Sequence, residues 1–504
     1  MPKYLVPLAL LALAACRADF EPDLVGPVTP PPAPAPAVAV PFRLGSTQPD
    51  EARAIAVGSG GDLLVASWFV GSVDFDPGPS ATIRTGLGLQ DLAVASYSTA
   101  GALRWLFTYG GSGADTPFAI AATADGGVVV TGHSTGGGTC AGRTLVGLGG
   151  RDILVMKISN AGTCEWAHLI GGSGDDEGRA VAVETGGTVL VAGLFSGTVD
   201  FDPGTEARLV PSRGGNDAFL LRLGSDGSFL DVVQGGGLGD DAFTAVSVAN
   251  NGEISVGGTF TGEASYGSPL APVILQTQGM SAGVLARLTP LLGLRWAVPL
   301  TGTGEVLVAG LAEDVDGTVL VTGSFTGTID ADPGTGALLL QAEGGTDLFM
   351  ARYEGNAGGF ANMARRVGGP GSDVATAITR SADGTIHLAG WFQSTVDFDP
   401  GAGASLVTAR GTGGAGDAFL LALTSLGSFQ WVTPIGAFVT GDDALAIPWG
   451  VARVAGGGLW TVGRFSGRAD FDPGTLAVEL QSVGATDQFV SQYDPATGAL
   501  LPVE

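Results

Sequence analysis

Five times the chain sets two aspartates one residue apart, immediately before Pro-Gly: Asp74 and Asp76, Asp200 and Asp202, Asp330 and Asp332, Asp397 and Asp399, Asp470 and Asp472. Alternate side chains of an extended segment point the same way. Hard cations take several carboxylate and carbonyl oxygens from loops, so one chemistry open to these residues is Ca²⁺ binding. The other is local: an Asp accepts backbone N–H groups at a turn, and Pro-Gly then reverses the chain. The Asp-x-Asp-x-Asp-Gly phrase with its distal Glu is absent, which favours the turn-forming role. Paired carboxylates can also cleave glycosides. An enzyme, however, concentrates distinctive residues at one site, so five copies argue for architecture.

Two further acidic series recur. One comprises Asp50, Asp115, Asp176, Asp241, Glu305, Asp373 and Asp443, and the other Asp91, Asp152, Asp217, Asp347, Asp417 and Asp487. The only histidines, His133, His168 and His387, are not at zinc-ligand spacing. No phrase proposes a nucleophile with a base and an orienting group. Beyond Ca²⁺ no cofactor is implied. After Cys16 only Cys140 and Cys164 remain; in an exported chain such a pair reads as a disulfide, the other reading being two free thiols.

The elements that carry these residues repeat. Turn glycines at Gly61, Gly126, Gly187, Gly252, Gly317, Gly384 and Gly457 are 65, 61, 65, 65, 67 and 73 residues apart. A period of that length takes precedence over other fold arguments. In the third copy Arg179–Val183 and Thr188–Ala192 flank the turn. Asp217–Leu223 forms a third strand and Ser228–Val233 a fourth. The dipeptides Asp125-Gly126, Asn251-Gly252, Asp316-Gly317 and Asp383-Gly384 permit positive φ at both turn positions. The 85 glycines suit many short strands joined by tight turns. Four antiparallel strands in seven copies predict an all-β fold: a single seven-bladed β-propeller over residues 41–504.

Phe69, Phe195, Phe260, Phe325, Phe392 and Phe465 hold one register, and Trp105, Trp166, Trp296 and Trp431 another; both read as blade-to-blade packing. Either Val38–Leu44 or Ala499–Glu504 must complete the seventh blade, and the N-terminal segment is favoured because it ties the preceding stalk to the ring. On this topology the three acidic series share one face, which is expected to be strongly negative.

Gly171-Gly-Ser-Gly-Asp-Asp-Glu177, Val189-Leu-Val-Ala-Gly193, Thr198-Val-Asp-Phe-Asp-Pro-Gly204 and Asp217-Ala-Phe-Leu-Leu-Arg222 resemble the SBBP-type β-propeller repeats of bacterial exported proteins. So do the closing tryptophans. The resemblance runs from about Phe42 to the C-terminus. It implies a propeller in the cell envelope and no particular activity. The second and fourth copies depart from it by lacking the aspartate pair, and the seventh carries extra residues near Pro448-Trp449.

Residues 1–15 read as a signal peptide: Lys3, an apolar run from Tyr4 to Leu11, then Leu13-Ala14-Ala15-Cys16. That last phrase resembles a bacterial lipobox, which makes Cys16 the lipidation site; a plain secretory signal is the alternative. The apolar run is far short of the ~20 residues a membrane span needs. Residues 16–40 are a disordered Pro/Ala-rich stalk. A net charge of −26 with no basic run argues against nucleic acid and against direct docking on anionic lipid. The expectation is a monomeric, non-catalytic lipoprotein of the cell envelope, on the outer membrane. It would touch the membrane only through its anchor and present an acidic face to a protein or glycan partner. A Ca²⁺-dependent adhesin or glycan-binding protein is the alternative, and a hydrolase stands third.

Overall fold

The computed structural model describes residues 41–411, 416–438, 444–472, 474 and 477–501. Residues 1–40, with Cys16, lie outside them, as does Asp443. All regular structure in the described residues is β. Seven four-stranded antiparallel sheets follow one another, each with its first strand innermost. The first blade is built from Glu51–Val57, Leu63–Phe69, Asp91–Tyr97 and Leu103–Tyr109. The third uses Glu177–Val183, Val189–Phe195, Asp217–Leu223 and Phe229–Gly237. Neighbouring inner strands pack together all the way round, the seventh against the first, so the ring is closed. This is the seven-bladed β-propeller expected from the repeat.

Closure comes from the N-terminal segment. Phe42–Leu44 pairs with Asp487–Tyr493 as the outer strand of the seventh blade, in the register Phe42 to Val490. Arg43 adds an ion pair to Asp487 at 2.7 Å. Pairing the last strand in this way removes the open edge that a ring cannot leave exposed.

The middle strands explain the long apolar runs. Leu63–Phe69, Asp91–Tyr97 and Asp417–Leu423 are buried along their whole length, because a blade's two faces are each covered by a neighbouring blade. The outer strands Leu103–Tyr109 and Cys164–Ile170 are only partly buried, since they lie at the rim of the ring against solvent. The aromatic registers pack as expected. Phe195 lies 5.3 Å from Phe201, and the indole N–H groups of Trp166, Trp296 and Trp431 donate to Ser225, Gly355 and Pro495 of the following blade at 3.0, 2.8 and 3.1 Å. These tryptophans tie their blades to the next, and Phe195 joins a core shared with Ile153 and Val155 of the preceding blade.

Two local expectations are corrected. The inner hairpin turns have positive φ at Gly61, Gly126, Gly252, Gly317 and Gly384, while Asp125, Asn251, Asp316 and Asp383 keep negative φ. The Gly126 N–H bonds Thr123 and the Thr123 N–H bonds Gly127, which is a type I turn closed by a single left-handed glycine. In the seventh blade the positive φ falls on Gly456 and not on Gly457. Second, the segment between second and third strands is a hairpin of its own in every blade. In the third blade Thr198–Asp200 pairs with Leu209–Pro211. In the fourth and seventh blades the hairpin also adds to the preceding blade's outer strand, Ala264 pairing with Gly237 and Ala469 with Ala437.

Candidate functional site

In all five Asp-x-Asp-Pro-Gly loops the carboxylates do the same local work. Asp200 accepts the N–H of Asp202 at 3.2 Å and of Arg208 at 2.7 Å, and Asp202 accepts that of Gly204 at 2.7 Å. Asp74 and Asp76, Asp330 and Asp332, Asp397 and Asp399, and Asp470 and Asp472 repeat the pattern. In each loop one oxygen of the first aspartate ties together two chain positions that enclose the Pro-Gly reversal.

The height of these loops differs from the expected placement. Tyr97, Tyr353 and Tyr493 are the last residues of their third strands, yet their hydroxyls donate to Phe75, Ala331 and Phe471, the residues between the paired aspartates, at 3.0, 2.9 and 3.1 Å. The hairpins therefore run down the flank of the blade, away from the rim where third strands begin. The first aspartate of the pair stays close to the preceding junction: Asp397 bridges Gly368 and Asp470 pairs with Gly436, the glycines beside the buried Asp347 and Asp417.

The other two acidic series meet each other. The acid that opens a third strand lies beside the acid that precedes the next blade's inner strand. The backbone of Gly236 is what separates them: a Cβ there would stand 2.7 Å from both Asp217 and Asp241. Both carboxylates are buried, as are Asp50, Asp91, Asp115, Asp152, Asp176, Asp347, Asp373, Asp417 and Asp487. They accept backbone N–H groups, for example Gly237 and Thr261 to Asp241 at 2.7 and 3.2 Å. Burial pushes Asp50, Asp115, Asp176, Asp241 and Asp373 up to about 6, against the pull of these bonds and with the neighbouring carboxylate adding to the rise. Hidden beneath the rim, these acids are structural pins between blades.

One member of the expected series is misplaced. Val306 pairs with Phe325 at the start of the fifth inner strand, so it holds the register of the buried acids, and Glu305 is exposed one residue earlier. The fourth-to-fifth junction lacks the buried carboxylate pair. Ala282 replaces the third-strand acid, Thr301 replaces the intervening glycine and Val306 replaces the inner acid. Losing one carboxylate removes the reason for the glycine and the partner of the second, so the three change together.

The side chains that break the repetition lie in the central channel. Every inner strand carries a one-residue bulge, and the bulged residues are Arg53, Phe118, Arg179, Thr244, Ala309, Thr376 and Trp449. The backbone device repeats, but the side chains do not. Across the seventh, first, second and third blades they stack in order. Arg53 lies 4.5 Å from the Trp449 ring and 5.3 Å from the Phe118 ring, and Arg179 covers the other side of Phe118 at 4.6 Å. A guanidinium held over an aromatic face gains electrostatically from the ring quadrupole, more so when desolvated. The other three blades contribute only small residues; Thr376 donates to the Pro448 carbonyl at 2.6 Å.

Charge in this mouth is opposite to that of the whole chain. Glu51 joins Arg53 at 2.8 Å and Arg464 at 3.1 Å, while Glu177 joins Arg151 at 2.6 Å and also Arg179. Four guanidiniums thus face two carboxylates. The Nε groups of Arg179 and Arg464 and the indole Nε1 of Trp449 are buried there without a hydrogen-bond partner. Burial draws Arg53 below its ordinary value; Glu51 opposes this, and Arg464 and Arg179 add to it. His133, 5.4 Å from Phe118, is held down to about 4 by burial and by Arg151, Arg179 and Arg53, so it is neutral at pH 7. Beside Arg179 opens a hollow of about 280 Å³ walled by Leu194, Thr244, Thr259 and Leu307, with Asp240 and Asp241 also in its lining. The spare donors and the balance of four guanidiniums over two carboxylates suit the mouth itself, not this acid-lined hollow, to an anionic group. Sequence reading missed these residues; the available signal was one inner-strand position that varies in type while its neighbours repeat.

The second blade, which lacks the aspartate pair, fastens its hairpin covalently. Cys140 on that hairpin is bonded to Cys164 on the outer strand, with Cα atoms 5.6 Å apart. Among the described residues no group of three or more His, Cys, Asp or Glu side chains is placed to hold a metal ion. His168 and His387 instead stack near Trp166 and Trp431.

No family model matches the chain. It is 26% identical over 201 residues, 36% of its length, to the regulatory protein FlaEY of Caulobacter vibrioides. It is 22% identical over 270 residues, 47% of its length, to an uncharacterized WD repeat-containing protein of Acanthamoeba polyphaga mimivirus. The matched part covers 20% and 19% of these proteins, so the chain aligns with about a fifth of each. Among solved structures, a protein of unknown function from Bacteroides caccae shares 12% identity over 68% of this chain and 89% of its own, with a TM-score of 0.35. The GH43 protein BlXynB of Bacillus licheniformis shares 10% over 93% of this chain and 97% of its own, at 0.26. Similarities this distant carry no conclusion about activity.

Proposed function

We propose that the protein is a non-catalytic binding module, exported and lipid-anchored through Cys16 to the cell envelope, on the outer membrane. Its Pro-rich stalk holds the propeller off the membrane, and the ring recognises a protein or glycan partner at the mouth of its central channel. The observation that carries this reading is the set of seven bulged positions, where an invariant backbone presents Trp449, Arg53, Phe118 and Arg179 as one contiguous, non-repeated cluster. Positions freed from the repeat are where recognition can be written without disturbing the scaffold. The recognised group is anionic. Long-range repulsion by a chain of net charge −26 favours a ligand that brings one localised negative group over a polyanion. The mouth's makeup of guanidiniums and aromatic rings beside a neutral histidine supports recognition of an anionic group there.

The test is capture from envelope extract by the immobilised ring, comparing wild type with Arg179→Glu and with a control substitution in a flank loop, Glu206→Gln. Loss of the captured partner with Arg179→Glu alone supports the reading. Equal capture by all three places recognition away from the channel.

A further inference from the structure

The third-to-fourth blade junction contains a cavity where four other junctions carry a tryptophan. At four junctions the residue one place after the outer-strand bulge is Trp105, Trp166, Trp296 or Trp431. Each ring packs on a left-handed turn glycine of the next blade: Gly162, Gly227, Gly358 or Gly498. In three of them the indole N–H donates to the turn carbonyl three residues before that glycine or two, namely Ser225, Gly355 or Pro495.

The third blade has Asp231 in the tryptophan register, opposite Arg222. Across from it the turn residue is Leu292, with φ of 60°, where the other blades use glycine. Left-handed backbone is disfavoured for a leucine, and no tryptophan ring packs on this turn. Leu292 is buried but fills only part of the space. A cavity of about 420 Å³ remains, walled by Phe201, Phe219, Val233, Tyr266 and Leu288, with Asp231 among its polar groups. The turn places the Pro290 carbonyl where its counterparts receive an indole N–H, since the Thr289 N–H closes on Gly293 as the Gly224 N–H closes on Ser228.

We infer that this cavity is a binding site for a small planar aromatic molecule bearing an N–H donor, lodged as the tryptophans lodge elsewhere in the ring. The ring plane meets the apolar walls, and the N–H points to Asp231, the carboxylate in the cavity's lining. The site is separate from the channel mouth, and its success or failure leaves the channel reading untouched.

Titration calorimetry and thermal melting of the purified protein with indole, naphthalene and cyclohexanol test it. Indole is expected to bind one per chain, at least tenfold tighter than cyclohexanol and more tightly than naphthalene, which lacks the N–H. Asp231→Trp is expected to fill the cavity, raise the melting temperature and abolish saturable indole binding. Val233→Phe, which narrows the cavity from the outer strand, is expected to weaken it at least tenfold and serves if Asp231→Trp does not fold. Absence of saturable indole binding to the wild type would overturn the inference, as would binding unchanged in either folded variant.

Discussion

The buried carboxylates between blades predict an unusual pH dependence of stability. A carboxyl whose pKa rises on folding holds its proton more tightly in the folded state. Its contribution is therefore largest in acid and is lost as pH climbs through the folded value. Taking about 6 folded against 3.8 unfolded for Asp241, raising the pH from 5 to 7 costs about 1.3 kcal/mol at that one site. Asp50, Asp115, Asp176 and Asp373 carry the same shift from the same cause, and the adjoining Asp91, Asp152, Asp217, Asp347 and Asp417 move in the same direction. Three histidines oppose them. His133, lowered to about 4, costs about 1.8 kcal/mol on going from pH 7 to 5, and burial lowers His168 and His387 as well. Five aspartates together outweigh one such histidine by roughly threefold, so the net expectation is greater stability at pH 5 than at pH 7.

The site-specific measurement is urea unfolding of wild type and Asp241→Asn at pH 5, 6 and 7. The amide removes the titration and disturbs one backbone hydrogen bond, costing about 1–2 kcal/mol at every pH. It should flatten the wild-type slope by about 1.3 kcal/mol between pH 5 and 7. Identical slopes for the two proteins would refute the reasoning, because Asp241 would then ionise alike in both states.

Three further outcomes follow from local geometry. Reducing Cys140–Cys164, or replacing both by serine, should cost about 3 kcal/mol for a bridge spanning 24 residues and should loosen the second-blade hairpin first, as hydrogen exchange would show. Tyr353→Phe leaves the Ala331 carbonyl without its hydroxyl donor and should lower stability by about 1–2 kcal/mol in chemical denaturation. Asp200→Asn can retain the oxygen that receives the Asp202 and Arg208 N–H groups and should change stability by less than ~0.5 kcal/mol, whereas Asp200→Ala should cost about 2 kcal/mol. Melting both with calcium and with chelator separates the roles of the loop. A calcium-dependent rise in the wild type that Asp200→Asn loses would assign the loops to cation binding.

Much of the architecture was legible because the repeat samples the same physical problem seven times. Turn glycines, the Phe register and the Trp register each recur where a blade has the same neighbour to pack against, so their meaning could be read from spacing. The disulfide was legible for a simpler reason, there being two cysteines and one copy that held both. What could not be read was height and depth. The loop that carries Asp74 leaves from the rim, but its hairpin reaches along the blade until the Phe75 carbonyl meets the Tyr97 hydroxyl from the far end of the third strand, a reach that spacing does not record. Asp50 and Asp241 looked like surface charge because acids usually are. Their burial depends on a neighbouring blade closing over them.

By itself the sequence determined the number of blades, the antiparallel strand order and the packing role of the tryptophan register, because these rest on periodicity and on contacts that recur from copy to copy; it left two segments able to close the ring, and the pairing of Phe42–Leu44 with Asp487–Tyr493 decided between them. Only the tertiary structure decided which acids are hidden, that Arg53 and Arg179 alternate with Trp449 and Phe118, and that Asp231 leaves a tryptophan-sized space. Each of these depends on side chains from adjacent blades, far apart in the chain, and a bulge that redirects one residue toward the channel leaves no mark in the period.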